Sequence, residues 1–184
     1  MKSFAVKSKY FTNVLDIVKP ISIALIAMIL MIVTGFHVVT VKGASMDTTL
    51  ESGEAIVVTN FLYTPQCGDI VVINQESTLN KNIIKRVIAV EGQTLKLDYD
   101  NDKIFVDGKE LNEPYLKCTT FEGKRGDYEV PYVIPSGKLF VLGDNRGISL
   151  DSRSSSVGLI DAEDILGKAH FAVFPFNRIG GFSN

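Results

Sequence analysis

Apolar residues concentrate in one continuous run near the start of the chain. Residues 21–41 contain no acidic side chain, no lysine and no arginine. At about 1.5 Å rise per residue, a helix of this length extends about 30 Å, which matches the apolar thickness of a bilayer. A buried core helix is the alternative, but no polar face interrupts the run before Thr34. The pattern predicts a transmembrane helix over residues 20–41.

The charges that precede the run predict its orientation. Residues 1–19 carry four lysines and a single acidic residue, Asp16. Positive charge favours the cytoplasmic side, so residues 1–19 are expected to form a basic cytoplasmic tail and residues 42–184 an extracytoplasmic domain. A cleavable signal peptide has an apolar region of about 7–15 residues followed by a small-residue cleavage site. This run is longer and no such site follows it, which favours an uncleaved, single-pass signal anchor in the cell membrane.

The pattern then changes to short β-branched segments separated by Gly, Asp or Pro. Such segments are typical of strands. Asp107 and Gly108 stand between two of them and indicate a two-residue hairpin turn. Residues 112–130, which contain Pro114, Gly123 and Gly126, predict an irregular insertion. The chain is expected to be mainly β beyond residue 42, with strands at residues 54–59, 68–73, 83–90, 94–97, 103–106 and 138–142.

Composition and charge narrow the function classes. A length of 184 residues predicts one folded domain. The net charge of −2 provides no electrostatic basis for binding nucleic acid. The two histidines and two cysteines are far apart in the sequence and match no metal-ligand spacing. Cys67 and Cys118 fall in predicted loops and are expected to be unpaired, although an exported compartment permits a disulfide.

Ser45 and Lys85 are the candidate catalytic residues. A serine hydroxyl attacks an amide only when a neutral base removes its proton. Neither histidine suits that role, because His37 falls in the apolar run and His170 in a late apolar strand without a companion motif. The shortage of histidine favours a lysine base. A serine beside a turn is also common in loops without any catalytic role.

Strand alternation indicates how Lys85 could lose its proton. Ile83, Lys85 and Val87 share one face of the predicted strand, so apolar groups bracket the ammonium. Such desolvation lowers a lysine pKa from its ordinary value near 10.4. Arg86 points to the opposite face, where a carboxylate could pair with it. An ordinary solvated Lys-Arg pair on an edge strand is the alternative that the pattern leaves open.

Four ordered runs resemble the boxes of type I signal peptidases, the Ser/Lys proteases of peptidase family S26 that remove signal peptides from exported proteins. Ser45 begins the first run, Gly68 and Asp69 form the second, and Lys85 lies in the third. Residues 143–153 match Gly-Asp-Asn-Arg-x-x-Ser-x-Asp-Ser-Arg. The short insertion and single anchor are similar to the Gram-positive branch, and lysine rather than histidine at position 85 argues against the endoplasmic-reticulum-type branch. The resemblance, which covers most of residues 39–175, implies a signal-peptidase/LexA-like β-fold.

The resemblance also implies a role for each matching residue. Ser45 would be the nucleophile, its backbone N–H would donate to the oxyanion, and Lys85 would be the general base. Ser149 would hydrogen-bond Lys85 and orient it. Structural ion pairs would join Asp144 to Arg86 and Asp151 to Arg153. Shallow apolar pockets selecting small residues at −1 and −3 of the substrate would be lined by Val39, Val41, Met46, Leu50 and Ile84.

The expected partners follow from the same resemblance. The substrates would be signal peptides of exported preproteins, bound as an added strand, and membrane lipid would surround the anchor. No cofactor, metal or nucleic acid is implied. Two positions depart from the family pattern: Thr48 stands where the family has proline, and Gly43 where some members have a serine that assists the oxyanion hole. Because both dyad residues are present, these departures favour a specialised substrate over inactivity.

Two other interpretations are disfavoured. LexA-like autoproteases share the serine box and a lysine base, but they are cytoplasmic and cleave their own Ala-Gly bond, a dipeptide that this chain lacks. A signal-peptidase-like, membrane-anchored assembly factor would bind without cutting. Loss of Ser45 or Lys85 would have indicated that role, and both are present.

Overall fold

The computed structural model describes residues 2–33, 35–47, 49–75, 81–116, 118–122 and 125–182. The chain divides into two compact units, Met1–Phe36 and His37–Asn184. Thr48, which replaces the family proline, lies outside the described residues.

Helix α1 (Lys2–Val33) forms most of the first unit. Its described apolar side chains between Ile17 and Val33 are exposed. The predicted helix over residues 20–41 is wrong at its C-terminal end, because α1 stops before Gly35 and the residues Phe36–Thr40 form a strand. Gly35 has a φ of 79°, a conformation that ends helices, and the residues after it are rich in β-branched side chains that favour a strand. In the described part of the chain, no helix combines the length and the apolar character needed to cross a bilayer.

Beyond α1 the regular secondary structure of the described residues is mainly β-strand, which confirms the prediction of a mainly β protein. Each predicted strand is present, with bounds within two residues of those expected from the pattern. The strands are β1 (Phe36–Thr40), β2 (Ala55–Thr59), β3 (Ile70–Ile73), β4 (Ile83–Val90), β5 (Leu95–Asp98), β6 (Lys103–Val106), β7 (Lys109–Glu110), β8 (Lys138–Leu142), β9 (Ile160–Asp161), β10 (Ile165–Phe174) and β11 (Gly180–Gly181).

Two sheets contain these strands. The larger has the order β1-β2-β10-β3-β4-β8-β9, with β11 paired to β10, and the smaller has the order β5-β6-β7. The turn between β6 and β7 is the predicted hairpin: Asp107 and Gly108 have φ values of 51° and 73°, as a type I′ turn requires. β3 and β4 pair antiparallel, with Lys85 opposite Val71.

Alternation along β3 explains why this part of the sheet is buried on both faces. Ile70 and Val72 pack into one apolar cluster, while Val71 and Ile73 pack into another. Because these clusters cover both faces of β3, all four of its side chains are buried. The cluster that contains Val71 also contains residues of β4, which gives that strand a fixed position.

The irregular insertion is anchored to the rest of the domain. The described residues of 112–130 form no helix or strand, as predicted. Phe121 is nevertheless buried in the core, and the backbone N–H groups of Thr120 and Phe121 donate to the carboxylate of Asp102 at 2.7 and 2.9 Å. Cys67 and Cys118 are both free thiols, as expected.

Candidate active site

Ser45 lies in a tight turn between β1 and β2. The backbone N–H of Asp47 donates to the carbonyl of Ala44 at 3.0 Å, and that of Leu50 donates to Met46 at 2.8 Å. Gly43 precedes the turn with a φ of 90°, where a side chain would strain the backbone. These bonds hold the backbone of Ser45 while its side chain stays partly exposed.

Lys85 lies on β4, and its side chain contacts this turn. Its Nζ lies 2.7 Å from Ser45 Oγ, although the two residues are forty positions apart in the sequence. The same amine donates to the carbonyl of Ile84 at 3.1 Å. The hydroxyl and the amine are therefore in direct hydrogen-bond contact, as proton transfer between them requires.

Burial makes this lysine less basic. Lys85 is only 3% exposed, and the loss of solvent around it lowers its pKa to about 8. The negative charges of Asp151 and Asp144 act to raise the pKa, and the positive charge of Lys81 acts to lower it. A substantial fraction of the amine is neutral near pH 8, so it can accept a proton from serine.

Arg86 points away from Lys85 and meets Asp144. Its Nε and Nη2 donate to the two carboxylate oxygens at 2.9 and 2.7 Å, and both side chains are fully buried. A third donor, Nη1, bonds the carbonyl of Gly68 at 3.0 Å. The guanidinium also lies 3.7 Å from the ring centre of Tyr115, a cation–π distance. The structure thus brings together Asp144 and Arg86, the pair that the resemblance implied.

Asp151 and Arg153 form a second buried pair. The Nε and Nη2 of Arg153 donate to the carboxylate at 2.8 and 2.9 Å, and the backbone N–H of Gly143 adds a bond at 3.2 Å. Burial acts to raise the pKa of Asp151, but the hydrogen bonds and charge of Arg153 outweigh it, so that the pKa is below the ordinary value. The Ser149 side chain also acts to lower the pKa of Asp151. The bond expected between Ser149 and Lys85 stays a prediction.

Asn145 and Gly143 support the serine turn, a role that sequence reasoning missed. Asn145 donates twice, from its backbone N–H to the carbonyl of Ser45 and from Nδ2 to the carbonyl of Ala44, both at 3.0 Å. A Cβ on Gly143 would lie 2.4 Å from the Ser45 carbonyl oxygen and 2.2 Å from Ser149 Oγ. Only the position of these residues within the matching box could have indicated their importance.

Arg146 is a further buried cation, and the sequence analysis gave it no role. It pairs with Glu113 and donates to the carbonyls of Gly143 and Thr120 at 3.0 and 2.8 Å. Arg153 in turn donates to the carbonyl of Arg146 at 2.8 Å. Residues 143–153 and the irregular insertion are therefore linked by one polar network.

Two adjoining clefts open beside the dyad. The first, of about 410 Å³, is lined by Ser45 and Lys85 together with Ile148 and Leu150. The second, of about 450 Å³, is named the apolar cleft after three of the side chains that line it, Val39, Val72 and Ile84. They share a wall formed by Lys42, Lys81, Asn82 and Ile84.

The residues predicted to line the substrate pockets fall into two groups. Val39 and Ile84 line the apolar cleft itself. Val41, Met46 and Leu50 are almost wholly buried in the apolar cluster against which Val39 and Ile84 pack. The latter three do not line either cleft, and their part in substrate selection stays a prediction.

The histidines have other surroundings. His170 on β10 is exposed, and its Nε2 lies 2.6 Å from Thr59 Oγ1. His37 on β1 is also exposed. Neither lines the cleft that contains Ser45 and Lys85.

Known proteins are similar to this chain over most of its length. The model of the signal peptidase family, peptidase S26, matches residues 14–174. Signal peptidase IB of Staphylococcus aureus (strain N315) is 42% identical over 177 residues, which cover 86% of this chain and 89% of that protein. Signal peptidase I of Bacillus amyloliquefaciens is 36% identical over 187 residues, which cover 97% of this chain and 98% of that protein. A crystal structure of signal peptidase I from Enterococcus faecalis V583 is 27% identical, covers 58% of this chain and 97% of that chain, and superposes with a TM-score of 0.48.

The matched residues include the serine turn, β4 and the whole of residues 143–153. The identity to the two bacterial signal peptidases extends over nearly the full chain. The chain therefore belongs to the signal peptidase family, peptidase S26, whose members are serine endopeptidases.

Proposed function

We propose that this protein removes N-terminal signal peptides from exported preproteins with a Ser45/Lys85 dyad. The observation that carries the proposal is the contact of 2.7 Å between Lys85 Nζ and Ser45 Oγ. It is supported by the burial of Lys85 and by its lowered pKa. Alternative bases are poorly placed, because the histidines lie outside the cleft that contains Ser45.

The reaction begins with neutral Lys85. Its amine takes the proton of Ser45 as Oγ attacks the scissile carbonyl, and the backbone N–H of Ser45 donates to the oxyanion that forms. Lys85 then gives the proton to the leaving amine, which frees the mature protein and leaves the signal peptide esterified to Ser45. A water molecule, deprotonated by the same lysine, hydrolyses the ester. Asn145 and Gly143 hold the serine turn throughout these steps.

The clefts suit an extended peptide with small side chains near the cut. We infer that the substrate binds as an added strand, with its −1 side chain beside Ser45 and its −3 side chain in the apolar cleft lined by Val39 and Ile84. Alternate side chains of a strand point to the same side, so −1 and −3 both face the cleft floor. Alanine at these two positions is the expected preference.

We further propose that the apolar segment of α1 attaches the protein to the membrane, with the catalytic domain outside. Two observations support this proposal. The described apolar side chains of α1 from Ile17 onwards are exposed, and four lysines lie among residues 1–19. Sodium carbonate should leave the protein in the membrane pellet, and added protease should digest residues 42–184 in spheroplasts. Release by carbonate would contradict the attachment, and protection from protease would contradict the orientation.

Processing of a preprotein by the purified full-length protein tests the function. The detergent-solubilised wild type should convert a preprotein with Ala at −3 and −1 to a product whose N-terminus, read by mass spectrometry, begins directly after −1. Ser45→Ala should abolish this conversion. The matched control is Ser136→Ala, an exposed serine that hydrogen-bonds Glu91 away from the clefts, and it should leave processing unchanged. A wild type that binds the preprotein without cutting it would instead favour the role of an assembly factor.

A further inference from the structure

Two exposed lysines form part of the wall that separates the clefts. Lys42 follows β1 and Lys81 precedes β4, and both line the cleft of the dyad as well as the apolar cleft. Among the described residues that line these clefts, the charged ones are Lys42, Lys81 and Lys85. The clefts are therefore cationic, although the protein as a whole has a net charge of −2.

These two lysines differ from four of the six other lysines that the structure describes in the domain. Lys96, Lys103, Lys138 and Lys168 each lie within ion-pair distance of a carboxylate. Within the described part of the chain, neither Lys42 nor Lys81 has such a partner. An ammonium at the edge of a peptide-binding cleft, with no carboxylate of its own, can interact with a negative charge on the bound peptide.

The proposed binding mode indicates which substrate side chains they reach. With −1 and −3 facing the cleft floor, the side chains at −2 and −4 of an extended peptide point outward to the rim. Exposed lysine side chains are long enough to meet them there. Lysines at the wall between the two clefts lie alongside the segment that passes from the −3 side chain to the scissile bond.

We propose that Lys42 and Lys81 are specificity-determining residues that favour preproteins with an acidic side chain at −2 or −4. This inference rests on the proposed cleavage function and adds a charge preference to its small-residue preference. Each exposed pair of opposite charges is expected to change selectivity about two- to five-fold at low salt. The effect should shrink in concentrated salt, which screens exposed charges.

Cleavage of matched peptides by the full-length protein in an uncharged detergent tests the proposal. The peptides carry Ala at −3 and −1 and differ only by Asp, Asn or Lys at −2 or at −4. Wild type should show a higher kcat/KM for Asp than for Lys at one or both positions, and this ratio should fall toward one in the double variant Lys42→Gln with Lys81→Gln. The control is Lys109→Gln, which removes an exposed lysine on β7, outside both clefts, and should keep the wild-type ratio.

The outcomes separate this inference from the proposed function. Cleavage of all peptides with no Asp-over-Lys preference, or a preference that the double variant keeps, would overturn the inference alone. Absence of any cleavage would overturn the proposed function. In that case the affinity of Ser45→Ala for fluorescent Asp and Lys peptides decides the charge preference independently. The double variant could instead bind anionic vesicles more weakly than wild type and keep the wild-type peptide selectivity. That result would show that the two lysines bind lipid, and it would also overturn the inference.

A second readout follows from the position of Lys81, which lines the same cleft as Ser45 and Lys85. The charge of Lys81 lowers the pKa of Lys85, while those of Asp151 and Asp144 raise it. Lys81→Gln should therefore move the midpoint of the pH–rate profile to higher pH, and Lys109→Gln should not. A merely structural role for Lys81 would lower the rate without moving the midpoint.

Discussion

Lysine acts as a base only where the protein keeps its amine away from water. On β4 this follows from the alternation of side chains along the strand. One face carries Lys85 between Ile83 and Val87, which are buried in an apolar cluster. Arg86 points to the other face, where it pairs with Asp144. Strand periodicity allowed this part of the site to be predicted from the sequence. The contact with Ser45 could not be predicted from periodicity, because it depends on how a turn after β1 folds back over β4. It was expected only from the resemblance.

The protonation state of Lys85 should control activity. If Lys85 is the base, as proposed, its neutral amine is the active form. Because the pKa of this amine is lowered to about 8, kcat/KM should then rise with pH through about 8 and level off above it. The pH–rate profile of wild type, measured beside His170→Ala, checks this expectation. A midpoint near the ordinary histidine pKa of about 6.5 that His170→Ala abolishes would assign the base to histidine instead.

Gly143→Ala should impair catalysis more than folding. The added Cβ would collide with the Ser45 carbonyl oxygen and with Ser149 Oγ, so the serine turn must shift. A displacement of about 1 Å at a nucleophile costs about 100-fold in rate, and kcat should fall by that order. Gly180→Ala is the control, since a Cβ there meets no atom within 4 Å. Equal kcat for the two variants would show that the turn tolerates the shift.

Elements that are distant in the sheet meet at the clefts. The apolar cleft is lined by Val39 of β1, Val72 of β3 and Ile84 of β4, yet β2 and β10 lie between β1 and β3 in the strand order. The larger sheet must therefore curl to bring β1 toward β3 and β4. The sequence pattern predicted β3 and β4 but assigned β1 to a continuing helix. Apolar β-branched residues fit either element, and the left-handed conformation of Gly35 decides where the helix ends.

If the −1 side chain of the substrate binds beside Ser45 as proposed, its size should limit the rate of cleavage. A bulky −1 side chain is expected to displace the scissile carbonyl from the hydroxyl. Substituting Phe for Ala at −1 of a preprotein should lower kcat/KM by about two orders of magnitude or more. The control is Phe at +2, beyond the scissile bond. Equal cleavage of the Ala and Phe substrates would show that −1 is not bound in a confined pocket.

At the scale of the whole catalytic domain, buried ion pairs join segments that are far apart in the sequence. Arg86 meets Asp144, 58 positions away, and Arg146 meets Glu113, 33 positions away. Spacing alone cannot indicate such pairs, because they depend on the tertiary fold. The resemblance predicted the first pair but gave no partner for Arg146, since Glu113 lies in the irregular insertion, outside the boxes. The insertion thus contributes directly to the support of residues 143–153.

Breaking the Arg146–Glu113 pair should destabilise the domain strongly. Arg146 has no exposed side-chain surface, so Glu113→Ala leaves a buried positive charge uncompensated, which costs about 3–5 kcal/mol. Glu110→Ala removes the exposed partner of Lys103 and should cost at most about 1 kcal/mol. Urea unfolding of both variants in detergent measures the free energies. If Glu113→Ala lowered the free energy of unfolding no more than Glu110→Ala does, the buried pair would contribute little to stability.

The central claim is that Ser45 and Lys85 act as one catalytic unit. The most direct test measures preprotein processing by Ser45→Ala, Lys85→Ala and the double variant, with thermal unfolding to verify that each is folded. When two residues act as one catalytic unit, removing either of them costs about as much activity as removing both. Each single change should therefore abolish processing, and the double change should be no worse than either one. A folded Ser45→Ala or Lys85→Ala variant that processes the preprotein at nearly the wild-type rate would contradict the account.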